Sequence, residues 1–149
     1  MAHGEILLVE DRPDDERLTI RALKKANLLN DITVVRDGAE ALDYLFCTGR
    51  YADRAPREPP AAVLLDLDLP KINGIGVLRR LRTDERTRLI PVVVLTSSAQ
   101  QRDVVESYGF GACSYVGKPL TFGGFAEAVQ NLGLCWLLNL GTREPANRA

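Results

Sequence analysis

A buried-strand pattern that ends in two aspartates constrains this chain more than any other feature. Four consecutive apolar residues, Ala62 to Leu65, show no polar alternation. Such a run favours a strand buried on both faces, as in a parallel sheet covered by helices. Asp66 and Asp68 follow where the strand ends, and Pro70 then turns the chain into a loop. Because ligands bind at the carboxyl ends of such strands, Asp66 is a candidate site residue, although a strand-end aspartate also commonly caps a loop or helix.

Similar apolar runs recur along the chain and alternate with helical patterns. Strands are predicted near residues 5–9, 32–35, 62–66, 90–95 and 112–116. Helices are predicted between and after them, near residues 13–26, 38–46, 75–83, 99–108 and 121–132. Five strands that alternate with five helices predict an α/β fold, a (βα)5 doubly wound sheet of five parallel strands with right-handed crossovers.

Two of the predicted helices carry recognisable signals, and one connection is unusually long. The first helix has an apolar face made of Leu18, Ala22, Leu23 and Ala26. Thr121 is suited to be the N-cap of the last helix. Residues 48–60 are polar and contain three prolines. We therefore expect this segment to be a connection longer than most loops that join a helix to a strand.

Composition excludes several classes of function. The 149 residues carry a net charge of −1, so no basic surface for DNA or an anionic membrane is indicated. The N-terminus lacks the layout of a signal peptide, and no apolar run is long enough to span a membrane. Three widely spaced cysteines predict reduced thiols and a cytoplasmic protein. His3 is the only histidine, which argues against catalysis by an internal imidazole.

Polar side chains follow four of the predicted strands, and the parallel arrangement brings them to one edge of the sheet. They are Glu10 and Asp11, Asp66, Thr96, and Lys118. Three carboxylates packed together repel one another unless a cation lies among them. Hard oxygen ligands suit Mg²⁺, and a carboxylate beside that ion can act as a nucleophile toward phosphorus. The ammonium of Lys118 and the hydroxyl of Thr96 are groups that would neutralise a transferring phosphoryl group.

This combination of motifs resembles the receiver domain of two-component response regulators over about residues 4–133. The motifs that carry the resemblance are the acidic pair Glu10-Asp11, the segment Asp66 to Pro70 with Asn73-Gly74, the hydroxyl pair Thr96-Ser97, and Lys118-Pro119. The resemblance implies the flavodoxin-like receiver fold. It also implies that Asp66 accepts a phosphoryl group from a phosphohistidine on a sensor histidine kinase.

The resemblance further implies a ligand set for Mg²⁺. Asp11, Asp66 and the backbone carbonyl of Asp68 would hold the ion, and Glu10 would act mostly through water. Asp68 and Ser98 lie at positions where family members vary, and we expect them to tune the lifetime of the phosphorylated state.

The same resemblance assigns roles to residues of the last two strand ends. Lys118 would pair with the phosphoryl oxygens, and Thr96 would move toward them. Tyr115 matches the aromatic residue that swings inward on activation, although it is also suited to simple core packing. The bond between Lys118 and Pro119 is expected to be cis.

A narrower similarity points to the small single-domain regulators that accompany bacterial and cyanobacterial phytochromes. It rests on Ala41 to Leu45, Gly49 to Tyr51, Leu69 to Lys71 and a tail that contains Trp136. It implies that the sensor kinase is a bacteriophytochrome.

We expect the last residues, 134–149, to form an apolar extension with no separate output domain. Its apolar side chains include Trp136, Leu137, Leu138 and Leu140. Left in water they would form a patch of the kind that marks an interface, so a homodimer through the last helix and the tail is expected. The alternative is that the tail folds back on its own domain or extends the last helix.

The main rival function is an enzyme, a phosphatase of the haloacid dehalogenase type. Asp66 and Asp68 have the spacing of its Asp-x-Asp motif. However, Pro70 stands at the fifth motif position, and the acidic cluster expected after the lysine is missing. A stoichiometric switch that is not a turnover enzyme and signals through protein contacts is the preferred interpretation.

Overall fold

The computed structural model describes residues 4–25, 30–54, 59–67, 74–96 and 113–117, with residues 121, 123, 124 and 127. Within these ranges the strands are β1 (Glu5–Val9), β2 (Asp31–Val35), β3 (Ala62–Asp66), β4 (Val92–Leu95) and β5 (Cys113–Val116). The helices are α1 (Pro13–Lys25), α2 (Gly38–Phe46) and α3 (Gly74–Arg82), with a short 3₁₀ helix at Gly49–Tyr51.

The five strands pair in parallel in the order β2-β1-β3-β4-β5. The predicted parallel α/β sheet is therefore confirmed. The central strand β3 is buried at every position, which is the outcome that its unbroken apolar run predicts.

Alternate residues of the sheet face two separate apolar layers. Leu64 belongs to a layer that includes Ala22 and Leu23 of α1, whereas Leu65 belongs to a layer shared with α2 and α3. Because side chains alternate along a strand, the four apolar residues before Asp66 fill both layers. The strand that carries Asp66 is thus fixed from both sides.

Local side chains cap the starts of two helical segments. The Asp37 carboxylate accepts a hydrogen bond of 2.8 Å from the backbone N–H of Glu40 and caps the start of α2. The Thr121 hydroxyl accepts a hydrogen bond of 3.0 Å from the N–H of Gly124, as expected of the predicted N-cap. The predicted helix near residues 99–108 lies outside the described residues.

Two local predictions need correction. The helical pattern predicts Leu18 on the buried face of α1, but it is 43% exposed, and the buried residues of that helix are Thr19, Ala22 and Leu23. The fourth strand begins at Val92 and not at Ile90, because Ile90 donates its N–H to Thr87 in a turn and Pro91 has no N–H to donate. None of the helices in the described ranges is long and apolar enough to cross a membrane.

Candidate functional site

The sheet order places the ends of β1 and β3 side by side. The chain leaves β1 toward β2 on one side and reaches β3 on the other, so the direction of the strand order reverses between these two strands. Such a switch point opens a crevice at the carboxyl ends of the strands. Glu10 and Asp11 follow β1, and Asp66 is the last residue of β3.

The three carboxylates meet in this crevice. One ligand oxygen from each of Glu10, Asp11 and Asp66 lies within 4.8 Å of the other two. Glu10 and Asp66 are fully buried, and Asp11 is half-buried. The sequence prediction that these three side chains converge is confirmed by this geometry.

The hydrogen bonds around the three carboxylates leave room for a cation. A backbone N–H, that of Arg12, donates to Glu10 Oε2 at 3.3 Å. The buried Asp11 Oδ1 accepts no hydrogen bond from the part of the chain that the structure describes. Because buried carboxylates close to one another repel, a divalent ion with oxygen ligands would relieve the charge. The residues present therefore fit a metal site.

Thr96 lies at the same edge. Leu95 pairs with Asp66 across β3 and β4, and Thr96 is the next residue, almost fully buried. Its backbone N–H donates to the carbonyl of Val116 at 3.1 Å, which joins the end of β4 to the end of β5. Thr96, the predicted switch residue, thus lies between the strand of Asp66 and the strand that leads toward Lys118.

A close backbone contact positions the residues after Asp66. The N–H of Gly74 donates to the carbonyl of Leu67 at 3.1 Å, and α3 begins at that glycine. A Cβ atom at Gly74 would lie 2.5 Å from the carbonyl oxygen of Asp66 and would also overlap Leu67 Cα. Glycine is required here because the first turn of α3 packs directly on the backbone of the acceptor strand.

Several predicted site residues lie outside the described residues. They are Asp68, Ser98, Lys118, Pro119 and the tail residues Trp136, Leu137, Leu138 and Leu140. The backbone of Tyr115 forms part of β5, but its side chain is not described. The roles expected of these residues remain predictions.

Sequence reasoning missed a second polar cluster, at the opposite end of the sheet. The Glu5 carboxylate accepts hydrogen bonds from Tyr44 at 2.6 Å and Thr33 at 2.8 Å, and it pairs with Arg54 at 3.4 Å. Tyr51 packs edge-on against Tyr44 with ring centroids 5.1 Å apart. A signal was present in Tyr44 of α2 and in Tyr51 and Arg54 of the polar connection that follows, but Glu5, the partner of Tyr44 and Arg54, is distant in sequence.

Comparison with known proteins agrees with this geometry. Residues 6–130 match the response regulator receiver domain family. The probable methanogenesis regulatory protein FilR2 of Methanothrix harundinacea is 41% identical over 132 residues, which are 89% of this chain and 83% of FilR2. The response regulator Rcp1 of Synechocystis is 37% identical over 132 residues, 89% of this chain and 88% of Rcp1.

Two solved structures extend the comparison. The bacteriophytochrome response regulator RtBRR superposes with a TM-score of 0.85 at 44% identity, covering 99% of this chain and 84% of RtBRR. The Mn²⁺-bound form of Rcp1 superposes with a TM-score of 0.70 at 36% identity, covering 96% of this chain and 99% of that structure.

This chain belongs to the response regulator receiver domain family. Its relatives include single-domain response regulators associated with phytochromes, and it has their flavodoxin-like receiver fold. Phosphorylation on aspartate is general for the family, whose members bind a divalent metal. The family match favours the receiver interpretation over the dehalogenase-type phosphatase.

Proposed function

We propose that this protein is a single-domain response regulator that accepts a phosphoryl group on Asp66 from a phosphohistidine of a sensor kinase. The observation that carries the proposal is the buried meeting of Glu10, Asp11 and Asp66 within 4.8 Å at the switch point of the sheet. Asp66 ends a strand packed on both faces, so its carboxylate is held at a fixed place in the crevice.

The chemistry follows from the groups at this edge. An Asp66 carboxylate oxygen attacks phosphorus, a phosphorus–oxygen bond forms, and the phosphorus–nitrogen bond breaks with its electron pair left on the imidazole. Lys118 and Thr96 bind the phosphoryl oxygens, which develop negative charge during transfer. Movement of Thr96 and Tyr115 toward the site then favours one of two states of the domain.

Mg²⁺ is the proposed metal. Asp11, Asp66 and the backbone carbonyl of Asp68 would hold the ion, with Glu10 acting through water. When bound, the ion neutralises charge on the phosphoryl oxygens. The buried oxygen of Asp11 and the acidic cluster support this assignment, as does the similarity to the Mn²⁺-bound form of Rcp1.

The remaining proposals concern architecture and partners. Residues 4–133 form a complete (βα)5 receiver domain with Lys118-Pro119 in the cis form, and residues 134–149 form an extension that makes a homodimer together with the last helix. The similarity to RtBRR supports a bacteriophytochrome as the kinase. A cytoplasmic location is part of the proposal, and the free thiol of Cys47 supports it. The protein would signal through protein contacts, without DNA binding or turnover catalysis.

Incorporation of phosphate from acetyl phosphate, with and without Mg²⁺, tests the proposal. Wild-type protein should be labelled only with the metal, and Asp66→Asn should abolish labelling because it removes the nucleophile. Asp53→Asn is the matched control, since Asp53 is an exposed aspartate in the segment after the 3₁₀ helix. Labelling of Asp66→Asn at the wild-type level would refute Asp66 as the acceptor.

Loss of the label from the same sample tests the tuning residues. Asp68 and Ser98 would act on the water that hydrolyses the aspartyl phosphate. Asp68→Asn and Ser98→Ala should each change the rate of label loss while leaving the extent of labelling intact. Unchanged rates in both variants would remove these residues from the mechanism.

A further inference from the structure

The end of the molecule opposite the acidic crevice carries a concentrated positive charge. Residues 79–89, which finish α3 and lead to β4, contain five arginines and two acidic residues, whereas the whole chain has a net charge of −1. Strands and helices run in opposite directions in this fold, so the end of α3 lies at the amino ends of the strands. This charge is therefore separate from the proposed phosphorylation site.

Two of these arginines are stacked on one aromatic ring. The guanidinium carbons of Arg80 and Arg86 lie 4.5 Å and 4.6 Å from the centre of the Phe46 ring. Asp84 pairs with both arginines, at 3.5 Å and 2.8 Å. Hydrogen bonds from Arg86 hold the pKa of the Asp84 carboxyl well below its usual range, with a smaller effect from Arg80. The arginines are thus fixed in place while their side chains remain at least half exposed.

The loop beyond them is fixed as well. The buried Thr87 hydroxyl donates to the carbonyl of Leu81 at 2.7 Å, and Arg82 donates to the carbonyl of Arg88 at 2.9 Å. This rigid loop presents Leu89 with 76% of its surface exposed. A leucine held in water by an ordered loop, directly after Arg88, is pre-organised to enter an apolar contact without loss of loop entropy.

We propose that Phe46, Arg80, Arg86, Arg88 and Leu89, here called the arginine surface, bind an acidic segment of a partner protein that carries an apolar side chain. The excess of arginine favours carboxylates, with which guanidinium groups form paired hydrogen bonds. Leu89, the residue that follows Arg88, supplies an exposed apolar anchor. Asp84 and Glu85 within the same loop would repel the continuous phosphate backbone of a nucleic acid, which disfavours that class of partner.

Binding of a synthetic glutamate-rich peptide that contains leucines tests this surface. Fluorescence anisotropy would give the affinity, and amide NMR spectra would locate the contact, with shifts expected at residues 79–90 and at Phe46. Arg88→Glu and Leu89→Ala should each weaken binding about tenfold, the size typical of losing one anchor at an interface. Both side chains are exposed, so the variants should remain folded.

Matched controls come from α1, on the other side of the sheet. Arg21→Glu removes an exposed arginine and Leu18→Ala a partly exposed leucine, and neither should change the affinity. The proposal fails if the α1 variants weaken binding equally, or if the same peptide with glutamine in place of glutamate binds as well. It also fails if a single-stranded oligonucleotide binds more tightly and without dependence on Leu89.

A phosphorylation assay distinguishes the arginine surface from the proposed acceptor site at Asp66. Leu89→Ala should be labelled by acetyl phosphate at the wild-type rate, since the arginine surface lies at the opposite end of the strands. Loss of peptide binding with normal labelling supports the surface, whereas absent labelling in the wild type would bear only on the acceptor site.

Discussion

At the scale of single residues, Gly74 contributes to the acceptor site by lacking a side chain. Gly74→Ala places a Cβ atom 2.5 Å from the Asp66 carbonyl oxygen, and the obstacle is backbone that cannot rotate away. We expect the substitution to lower the free energy of unfolding by about 1–3 kcal/mol, the usual cost of overpacking a dense site. Denaturant unfolding monitored by circular dichroism measures this change.

Gly117 offers the control for that substitution. An alanine Cβ there would meet no described atom within 4 Å, so Gly117→Ala should change stability by less than about 0.5 kcal/mol. Equal effects at the two positions would show that the contact of Gly74 with the acceptor strand does not govern stability. The sequence identifies Gly74 as part of a motif, but only the packing of α3 on Leu67 explains why a side chain is excluded.

The sequence predicts which residues form the acidic crevice, but it carries less information on how close they lie. Asp66, Glu10 and Asp11 could be found because each follows an apolar strand, and parallel strands end at one edge. Their closeness depends on the strand order, since β1 and β3 are neighbours only because β2 lies on the outer side of β1. Periodicity within a strand carries no information on the strand order. The order could be inferred only from the alternation of strands and helices and from the family resemblance.

At the scale of structural elements, the segment after α2 shows where local patterns give too little information. Composition predicts a long polar connection, yet residues 48–54 form a 3₁₀ helix and an ordered turn. Arg54 lies over the Tyr44 ring at 3.9 Å and reaches Glu5 of β1. These contacts join residues far apart in sequence, and no spacing rule predicts such a pairing.

Tyr51 makes this segment sensitive to alkaline pH. Its hydroxyl donates to Glu40 Oε2 at 2.6 Å, and burial together with this hydrogen bond raises the pKa of Tyr51 to about 12, from an ordinary value of 10.0. At pH values below the ordinary pKa of 10.0, the phenol is neutral in both the folded and the unfolded protein, and the stabilisation that it contributes is complete. At higher pH the unfolded chain loses this proton first. The free energy of unfolding should therefore fall as pH rises from the ordinary pKa of 10.0 to the folded-state pKa of about 12.

Tyr51→Phe tests this dependence. The variant should show a shallower loss of stability between the two pKa values than the wild type, as measured by denaturant unfolding across a pH series. Glu40→Gln, which keeps an acceptor but removes the charge, should shift tyrosine ionisation in the ultraviolet spectrum to lower pH. Parallel stability curves for the wild type and Tyr51→Phe would contradict the assignment.

At the scale of the whole molecule, the two ends of the sheet have opposite character. Carboxylates gather at the carboxyl ends of β1 and β3, and arginines gather where α3 turns into β4. The sheet between them is packed on both faces. A change of charge at one end is therefore separated from the other end by the length of the buried strands. The proposed kinase and the proposed partner of the arginine surface would thus contact different surfaces.

The proposed homodimer gives the last prediction at this scale. Residues 134–140 contain six apolar residues and no charge, so association would remove a large apolar surface from water. Truncation after Gly133 should convert a concentration-dependent dimer into a monomer in sedimentation velocity, because the apolar stretch is lost. Truncation after Leu140 removes only the polar end and should leave the dimer intact. A monomeric wild type, or a dimer that survives the shorter truncation, would show that the tail packs on its own domain instead.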